Sequence, residues 1–283
     1  MPTDAPHEAI QMTEMTATPA WKPAQGTPTP VGKPLISIIV PALNEEKLIQ
    51  RTLGCFPPQL RERYGMELIV SDGGSSDGTP LIAQQCADLV ARHTEPRRQT
   101  IAEGRNRGAQ LARGALLVFI NADTVPKNPQ KFLQALRQIA ENSAENSSDN
   151  RRRVVAYACP VEIAPEERQL SDRLFHGFFN RYVRFLNVIG LGMGRGECQV
   201  IHRDAFVNAG GYDNGMVAGE DFDLYKRLTR LGTIGHRAEL MVHESPRRFR
   251  RYGYLRVLWE WTVNALSVIF SGKAVSKEWE QIR

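Results

Sequence analysis

The sequence contains little cysteine and has no CxxC pair. Its four cysteines are Cys55, Cys86, Cys159 and Cys198, far apart along 283 residues. This scarcity argues against a disulfide framework and a cysteine-rich zinc site, and it favours free thiols in a reducing cytoplasm. The apolar stretch at residues 257–270 is too short to cross a bilayer and contains charged and polar side chains. We therefore expect a cytoplasmic protein.

The N-terminal segment has no apolar period and is rich in proline and threonine. Such a segment buries too little surface to offset the entropy of ordering it, and it lacks the apolar core of a secretory signal. We expect a disordered tail at residues 1–33, one globular domain at residues 34–253, and an amphipathic helix with a tail at residues 254–283.

The rest of the composition is that of an ordinary globular protein, with 42% hydrophobic and 24% charged residues. The net charge is +5 and arises partly from arginine runs at residues 151–153 and 247–251. Such runs favour an anionic partner, which on this evidence alone could be phosphate, nucleic acid or an acidic membrane surface.

Short apolar runs alternate with helix-like segments in the first half of the chain. The run lengths and their proline and polar boundaries are typical of strands covered on both faces. A helix is predicted at residues 80–86, with Thr79 as its cap. This alternation predicts parallel βαβ units and an α/β fold. The predicted strands are "LISIIV" (35–40), "MELIV" (66–70), "ADLVAR" (87–92), "LLVFI" (116–120) and, later, "VVAYACPVEI" (154–163).

Polar residues follow three of these strands. The sequence reads "PALNEE" after the first, "SDGGSSDGT" after the second and "NADT" after the fourth. Ligands of open α/β sheets bind outside the carboxyl ends of the strands. A turn alone accounts equally well for "SDGGSSDGT", but three polar ends at one sheet edge indicate a ligand site.

Four segments carry a resemblance to a known family: "ISIIVPALNEE", "LIVSDGGSSDGT", "GRNRGAQLARGALLVFINADT" and "GEDFDLYKRL". Over residues 34–251 the chain resembles the family 2 glycosyltransferases of the GT-A fold. The resemblance implies a mainly parallel sheet flanked by helices, with a Rossmann-like nucleotide-binding half and an acceptor half. It also implies a UDP- or GDP-sugar donor, Mg²⁺ or Mn²⁺, sugar transfer to an acceptor hydroxyl, and no nucleic acid partner.

Asp123 is the expected metal ligand. A diphosphate leaving group gains negative charge as the glycosidic bond breaks, so its site needs cations. Asp123 supplies a hard oxygen after a buried strand, although it could also only cap a turn. It matches the last residue of the family's D-x-D motif, in which Asn121 replaces the first Asp and Ala122 lies between.

The resemblance also assigns a nucleotide pocket. Pro41, Asn44 and Glu45 are expected to line it, and Asp72 is expected to hydrogen-bond the base. Arg105 matches a family position near the nucleotide. Its neighbours Arg107 and Arg113 are expected on a solvated face.

The acidic pair Glu220 and Asp221 lies between a glycine and a helix-like run. The buried face of that helix is predicted to comprise Phe222, Tyr225, Leu228 and Leu231. This leaves the pair at the helix N-terminus, where the helix dipole favours carboxylates. A cap role alone would explain this position. The resemblance implies instead that the pair contacts the acceptor and that Asp221 is the general base.

Basic residues further along complete the predicted site. Arg247 and Arg248 could neutralise phosphate oxygens through their forked guanidinium groups. His243 is a candidate second metal ligand. The glycines at 192, 194 and 196 would allow the close backbone approach that a donor sugar needs.

The sequence predicts an aromatic-rich helical face at residues 175–186 whose role has more than one interpretation. Its members recur at helical spacing, and core packing is the favoured interpretation, with an acceptor groove or a membrane-facing surface as alternatives. His176 beside it is given no role. The face comprises Phe175, Phe178, Phe179, Tyr182 and Leu186.

The stretch at residues 257–270 is flanked by basic residues and includes two tryptophans. This pattern suits an interfacial helix on an anionic leaflet, and it suits packing on the domain or on a dimer partner equally well. The acceptor stays unidentified and could be a lipid, with the protein peripheral at the inner face of the membrane.

Two other functions fit part of the sequence. A sugar-phosphate nucleotidyltransferase usually has a glycine-rich basic loop after the first strand, whereas "PALNEE" is acidic. A non-catalytic nucleotide-sugar-binding protein would keep Asp72 and Asp123 but would not need the acidic pair, which this chain has.

Overall fold

A computed structural model describes residues 12–14, 36–142, 153–216 and 218–271. The strands in these residues are β1 (Met12–Glu14), β2 (Ile36–Ala42), β3 (Met66–Asp72), β4 (Leu89–Arg92), β5 (Leu116–Ile120), β6 (Val125–Pro126), β7 (Val154–Ala158), β8 (Val161–Ile163), β9 (Cys198–His202), β10 (Thr233–Gly235) and β11 (Val242–Glu244).

Helices cover both faces of the sheet that these strands form. They are α1 (Ile49–Leu53), α2 (Pro58–Tyr64), α3 (Thr79–Cys86), α4 (Ile101–Leu111), α5 (Pro129–Asn142), α6 (Leu170–Val188), α7 (Arg203–Asn208), α8 (Glu220–Leu228), α9 (Arg247–Tyr252) and α10 (Tyr254–Ser271), with a 3-10 turn at Ala238–Leu240.

The main sheet has the order β1-β4-β3-β2-β5-β9-β7-β10, and β6-β11-β8 form a small second sheet. Strands β4, β3, β2 and β5 are parallel, whereas β9 runs antiparallel to both of its neighbours. Ile38 and Ile39 are both fully buried and belong to different core clusters. Because successive strand residues point to opposite faces, a core lies on each side of the sheet, as the continuous apolar runs predict.

Helix α4 lies unusually close to the sheet. A Cβ atom added at Gly108 would come within 2.4 Å of Ile39 Cγ2, so only glycine allows this approach. The predicted helix at residues 80–86 corresponds to α3, but Thr79 is not its cap. Gly78 takes that place, and Thr79 Oγ1 instead accepts a hydrogen bond from the Glu45 amide, which ties two loops together.

The predicted strand at residues 154–163 is divided in the structure. Strand β7 ends at Ala158 in the main sheet, and β8 begins at Val161 in the small sheet. Pro160 lies between them and has no backbone N–H to continue a ladder. The division delivers the chain to a second sheet, which also holds β11.

The expected tail at residues 1–33 lies mostly outside the described residues, as do residues 272–283 and the arginines at 151 and 152. The prediction of disorder is wrong for Met12–Glu14, which form β1 and pair in parallel with β4. Strand β4 would otherwise leave a row of backbone groups unpaired at the sheet edge, and β1 satisfies them.

The predicted buried face of α6 is wrong for Phe178 and Tyr182, which are exposed. Phe179 is buried as expected, together with Asp172, His176 and Val183, so the buried stripe is rotated around the helix. Helix α10 packs on the domain through the buried Val257, and Trp261 contacts the Phe179 ring at 5.4 Å. Within the described residues, no helix is both long and apolar enough to cross a membrane.

Candidate active site

A cavity of about 490 Å³ opens where β2, β3 and β5 end, within the size range of small-molecule sites. Its wall combines loops after parallel strands with residues from distant parts of the chain. Carboxylates from Glu45, Asp123, Glu197, Glu220, Asp221 and Glu244 face it, together with Arg98, Arg105, Arg195, Arg247 and Arg248. The sheet edge predicted from the three polar strand ends therefore borders the cavity.

Two of the residues predicted for the nucleotide pocket do not line this cavity. Asn44, at φ 54°, accepts hydrogen bonds from Ser76 through Oδ1 and donates one from its backbone amide to Ser75 Oγ. Asp72 is fully buried, and its carboxylate accepts bonds from the Gly74 and Ser75 amides and the Ser75 hydroxyl. In this structure "SDGGSSDGT" is thus a hydrogen-bonded turn. The Asp72 carboxylate accepts its hydrogen bonds from residues of that turn. Pro41, Glu45 and Ala122 do line the cavity.

Arg105 is a buried residue that lines the cavity. Its guanidinium donates to Glu220 Oε1 at 2.6 Å, to the Gly196 carbonyl at 2.7 Å and to Asn121 Oδ1 at 3.2 Å. Helix α4, the end of β5 and the start of α8 are therefore joined by one side chain. The prediction that Arg107 is solvated is wrong, because it is buried and donates to the Arg92 carbonyl. The side chain of Arg113 is 65% exposed.

We expect Arg105→Ala to destabilise the fold by about 3–5 kcal/mol, because it leaves Glu220 as a buried carboxylate without its cation. Urea unfolding followed by circular dichroism measures this change. Arg137→Ala is the matched control, since it removes an ion pair whose side chains are 40% and 45% exposed and should cost at most about 1 kcal/mol. Equal losses in the two variants would contradict a structural role for the Arg105 pair.

The acidic pair lies at the first turn of α8, as predicted. Gly219, at φ 75°, turns the chain into the helix, and Glu220 is buried against Arg105. Asp221 faces the cavity and accepts a hydrogen bond from the Phe222 amide. Burial and then the neighbouring Glu220 charge raise the pKa of Asp221 to about 7, against a lowering by Arg105. A carboxylate with this pKa can accept a proton near neutral pH.

The glycine-rich segment before β9 mostly serves packing. Atoms added as Cβ at Gly192 and Gly194 would come within 2.6 Å and 2.4 Å of Tyr225, so these two residues make room for α8. Gly196 is different, because its added Cβ would lie 3.5 Å from both Arg105 and Asp221 Oδ2. Of the three glycines predicted to approach a sugar, Gly196 is the one beside the Asp221 carboxylate.

Asp123 and Glu45 share one cation in this structure. Arg247 donates to Glu45 Oε2 at 3.0 Å and to Asp123 Oδ2 at 3.0 Å. Burial raises the pKa of Glu45, although Arg247 opposes this shift. No group of three or more acidic, histidine or cysteine side chains is positioned for a metal within the described residues. This set of two carboxylates fits Mg²⁺ or Mn²⁺ when a substrate supplies further oxygens, because Mg²⁺ is commonly held by one or two carboxylates together with phosphates.

His243 is not brought to this cluster. It lies on β11 beside Glu244, and since adjacent strand residues point to opposite sides, Glu244 lines the cavity while His243 faces Glu162 and Lys127. The predicted second metal ligand is therefore outside the cavity in this structure. Arg248, from the same basic segment, does line it.

Sequence reasoning missed a buried ionic cluster in the cavity wall. Arg195 donates to Glu197 Oε1 at 3.0 Å and to Glu244 Oε1 at 3.1 Å, and His176 Nδ1 lies 3.7 Å from Glu244. Burial and the nearby Glu197 charge raise the pKa of Glu244 well above its usual range. Arg195 and Glu197 come from one segment and Glu244 from another, so only the glycine-flanked "GRGE" and the "HES" at the end of β11 could have drawn attention to them.

Antiparallel β9 explains how Glu197 reaches the site. Ile120 pairs with Cys198, so the residues before β9 lie beside the carboxyl end of β5. The Asn121 amide accordingly donates to the Glu197 carbonyl at 3.0 Å. A parallel strand in this place would have taken Glu197 to the opposite edge.

Several known proteins resemble this chain. The glycosyltransferase AglE of Haloferax volcanii is 25% identical over 202 residues, which is 70% of this chain and 62% of that protein. Validoxylamine A glucosyltransferase of Streptomyces hygroscopicus subsp. limoneus is 34% identical over 36% of this chain and 24% of its own length. The chain thus spans less than two thirds of these relatives.

Solved structures are similar in fold. The mannosyltransferase PcManGT of Pyrobaculum calidifontis, in complex with GDP-Man and Mn²⁺, matches with a TM-score of 0.62 and 21% identity, over 89% of this chain and 69% of the other. Glucosyl-3-phosphoglycerate synthase of Mycobacterium tuberculosis, with Mn²⁺, UDP and phosphoglyceric acid, matches with a TM-score of 0.53 and 20% identity, over 84% and 78%. These likenesses confirm the predicted GT-A type α/β fold.

The family itself is established by a match that covers more than half of the chain. The model of glycosyl transferase family 2 matches residues 37–206, from within β2 to the middle of α7. That span includes Glu45, Arg105 and Asp123, and it confirms the resemblance carried by the sequence motifs. The protein belongs to glycosyl transferase family 2.

Proposed function

We propose that the protein is a metal-dependent glycosyltransferase that moves a sugar from a UDP- or GDP-sugar to an acceptor hydroxyl. One observation carries the proposal: a single cavity is lined by two separate acidic groups. One is Asp221, whose pKa is raised to about 7. The other is the pair Glu45 and Asp123, which is bridged by the Arg247 guanidinium. The first can take a proton from an acceptor, and the second can bind the positive charge that a diphosphate requires. Family membership and relatives that include complexes with nucleotide sugars and Mn²⁺ support it.

In this mechanism Asp221 is the general base. The acceptor hydroxyl becomes a good nucleophile as its proton moves to the carboxylate, and the new bond forms at the anomeric carbon while the bond to the diphosphate breaks. The hydrogen-bonded pair of Arg105 and Glu220 holds the start of α8 against α4. Because Glu220 is bound to Arg105, its part is to position that helix end and to raise the pKa of Asp221.

A second group of cavity residues, separate from Asp221, would neutralise the leaving diphosphate. A divalent metal would be held by Asp123 and Glu45, and it would supply positive charge to the phosphate oxygens. Arg247 is bound to both carboxylates and Arg248 lines the same wall, so both guanidinium groups are placed to contact a diphosphate. Asn121, which accepts a hydrogen bond from Arg105, also lines the cavity.

The pH dependence of transfer tests the assigned base. Transfer requires ionised Asp221, so we expect the single-turnover rate to rise about tenfold per pH unit up to about pH 7 and then to level off. The Glu220 charge raises this pKa, and Glu220→Gln should therefore move the rising limb to lower pH. A limb that stays in place in Glu220→Gln, or a rate that is flat below pH 7 in the unaltered protein, would contradict this assignment.

We also propose a lipid-linked acceptor and a cytoplasmic protein that is peripheral at the inner face of the membrane. Apolar side chains from Phe179, Met193, Phe222 and Trp261 line part of the cavity wall, and an acceptor with an apolar portion suits such a wall. These residues come from α6, α8, α10 and the segment after α6, all in the second half of the chain.

A donor screen decides between the proposed function and its alternatives. Thermal unfolding is measured with UDP- and GDP-sugars in the presence of Mn²⁺, because a ligand of the native state raises the melting temperature. Two reactions are then followed: release of nucleoside diphosphate from the nucleotide sugar with candidate hydroxyl acceptors, and release of pyrophosphate from UTP or GTP with a sugar 1-phosphate. Diphosphate release with a glycosylated product supports a glycosyltransferase, and pyrophosphate release would indicate a nucleotidyltransferase. Binding of a nucleotide sugar without release of either product, whichever acceptor is supplied, would indicate a non-catalytic nucleotide-sugar-binding protein.

A further inference from the structure

Exposed apolar side chains are concentrated on one part of the surface. Eleven large hydrophobic side chains are exposed in the described residues, and ten of them lie on α6, the segment directly after it, and α10. The eleventh is Leu81 on α3. Isolated exposed hydrophobics are ordinary, whereas a contiguous group marks an interaction surface. On α6 the group comprises Leu170, Leu174, Phe178, Tyr182, Phe185 and Val188.

These α6 residues recur every three or four positions and therefore share one side of the helix. The opposite side, with Phe179 and Val183, packs on the core, so the exposed apolar stripe is additional to the stripe that stabilises the fold. The Phe178 and Tyr182 rings are stacked with centroids 6.2 Å apart. A helix with two apolar stripes is expected to bury the second one against a partner.

The charges on α6 indicate the chemistry of that partner. Arg173, Arg181 and Arg184 are exposed along one edge of the stripe. The helix has a single acidic residue, Asp172, which is fully buried and bound to Arg250. An apolar face bordered by arginines and free of exposed acidic groups is the pattern of a helix that lies in the interface of an anionic membrane.

Helix α10 extends the same surface. It packs beside α6, with Trp261 5.4 Å from Phe179 and Tyr254 4.6 Å from Phe175. Its Leu255 and Trp259 are exposed, and tryptophan is favoured at the level of lipid headgroups. Phe179 and Trp261 also line the cavity. The two helices that carry the exposed apolar groups therefore form a wall of the candidate active site.

We propose that α6 and the start of α10 dock the protein on an anionic lipid surface, with the cavity beside the membrane. This inference rests on the proposed function, which gives membrane docking its purpose. A lipid-linked acceptor hydroxyl would reach Asp221 from the membrane interface. Apolar burial and arginine contacts act together, so binding is expected to need anionic lipid and to weaken as salt is added.

Co-sedimentation of the full chain with vesicles tests this surface. Vesicles of phosphatidylcholine alone are compared with vesicles containing phosphatidylglycerol as well. Phe178→Glu, at a side chain that is 62% exposed, should lower the affinity for anionic vesicles at least about tenfold, because it removes an inserted aromatic ring and adds a like charge. Leu81→Glu is the matched control. Leu81 is 60% exposed but lies on α3, outside the proposed surface, so this change should leave vesicle binding unchanged.

Charge reversal separates the electrostatic part. Arg181→Glu should weaken binding to anionic vesicles about fivefold or more, since each basic residue near an anionic surface contributes about 1 kcal/mol. Lys131→Glu, an exposed position on α5, is the matched control. Deleting α10 is an unsuitable test, because it would remove the buried Val257 and expose the core residues that pack against it.

Two results would overturn the proposal. One is equal binding of the unaltered protein to neutral and anionic vesicles, or to neither. The other is a dimer, seen by analytical ultracentrifugation, that Phe178→Glu dissociates while vesicles have no effect, since the stripe would then bind a second copy. Vesicle binding needs neither donor nor metal, so its loss in Phe178→Glu with unchanged donor affinity is distinguishable from a failure of the proposed transferase activity.

Discussion

Asp221→Asn is expected to lower the rate of sugar transfer by roughly a hundredfold or more, the scale of general-base catalysis, while donor affinity stays within a few-fold of the unaltered protein. Asparagine keeps the size of the side chain and can still accept the Phe222 amide hydrogen bond, but it cannot take a proton. Single-turnover transfer and titrated donor binding, measured on the same preparations, separate the two effects. The rising limb of the pH profile should also vanish.

The matched control for this variant is Asp223→Asn. Asp223 lies two residues further along α8 and is paired with Arg227 in a partly exposed i,i+4 contact, so its loss should change stability by at most about 1 kcal/mol and leave transfer near normal. Circular dichroism confirms folding for both. Near-normal turnover in Asp221→Asn would mean that the acidic pair only stabilises the start of α8. The general base would then have to be another cavity carboxylate, such as Glu197.

Asp123→Ala is expected to abolish the dependence of donor binding on Mn²⁺, a loss of at least on the order of a hundredfold in affinity when metal is present. The fold should persist, because Arg247 keeps its two hydrogen bonds to Glu45. Isothermal titration of the donor with Mn²⁺ and with a chelator measures the difference. In the variant the two titrations should coincide.

Asp204→Ala provides the comparison for Asp123→Ala. It also removes an Asp–Arg ion pair, with Arg153, but Asp204 is 51% exposed and does not line the cavity. The response of its donor binding to Mn²⁺ should match that of the unaltered protein. If Asp123→Ala still gains affinity from the metal, the metal is held elsewhere and Asp123 serves only to anchor Arg247.

The helical stripes show where sequence periodicity was ambiguous. The face of Phe175, Phe178 and Phe179 has helical spacing, but periodicity alone does not say which side of a helix meets the core. Phe179 is buried and Phe178 exposed because neighbours brought by the fold, including Phe249 and Trp261, cover one side only. The sequence face therefore mixed core residues with two members of the exposed stripe, Phe178 and Tyr182.

The strands and the family could be read from the sequence because their causes are local. A strand buried on both faces requires a continuous apolar run, and β2, β3 and β5 each have one, followed at once by the polar residues that parallel strands bring to one edge. Asp123, Glu45 and the position of Asp221 at a helix start follow from motifs of a few residues. Their spacing along the chain was enough to name the family.

Only the tertiary structure decided which of these residues meet. Asp72 and Asn44 make hydrogen bonds within and to a turn, and His243 faces away from the cavity. Arg195 and Glu197 from one segment form a cluster with Glu244 from another. Such outcomes depend on the direction of β9, on strand alternation at β11 and on the burial of Arg105 against Glu220. These are contacts between residues up to 115 positions apart, and local sequence patterns do not encode them because each partner looks ordinary by itself.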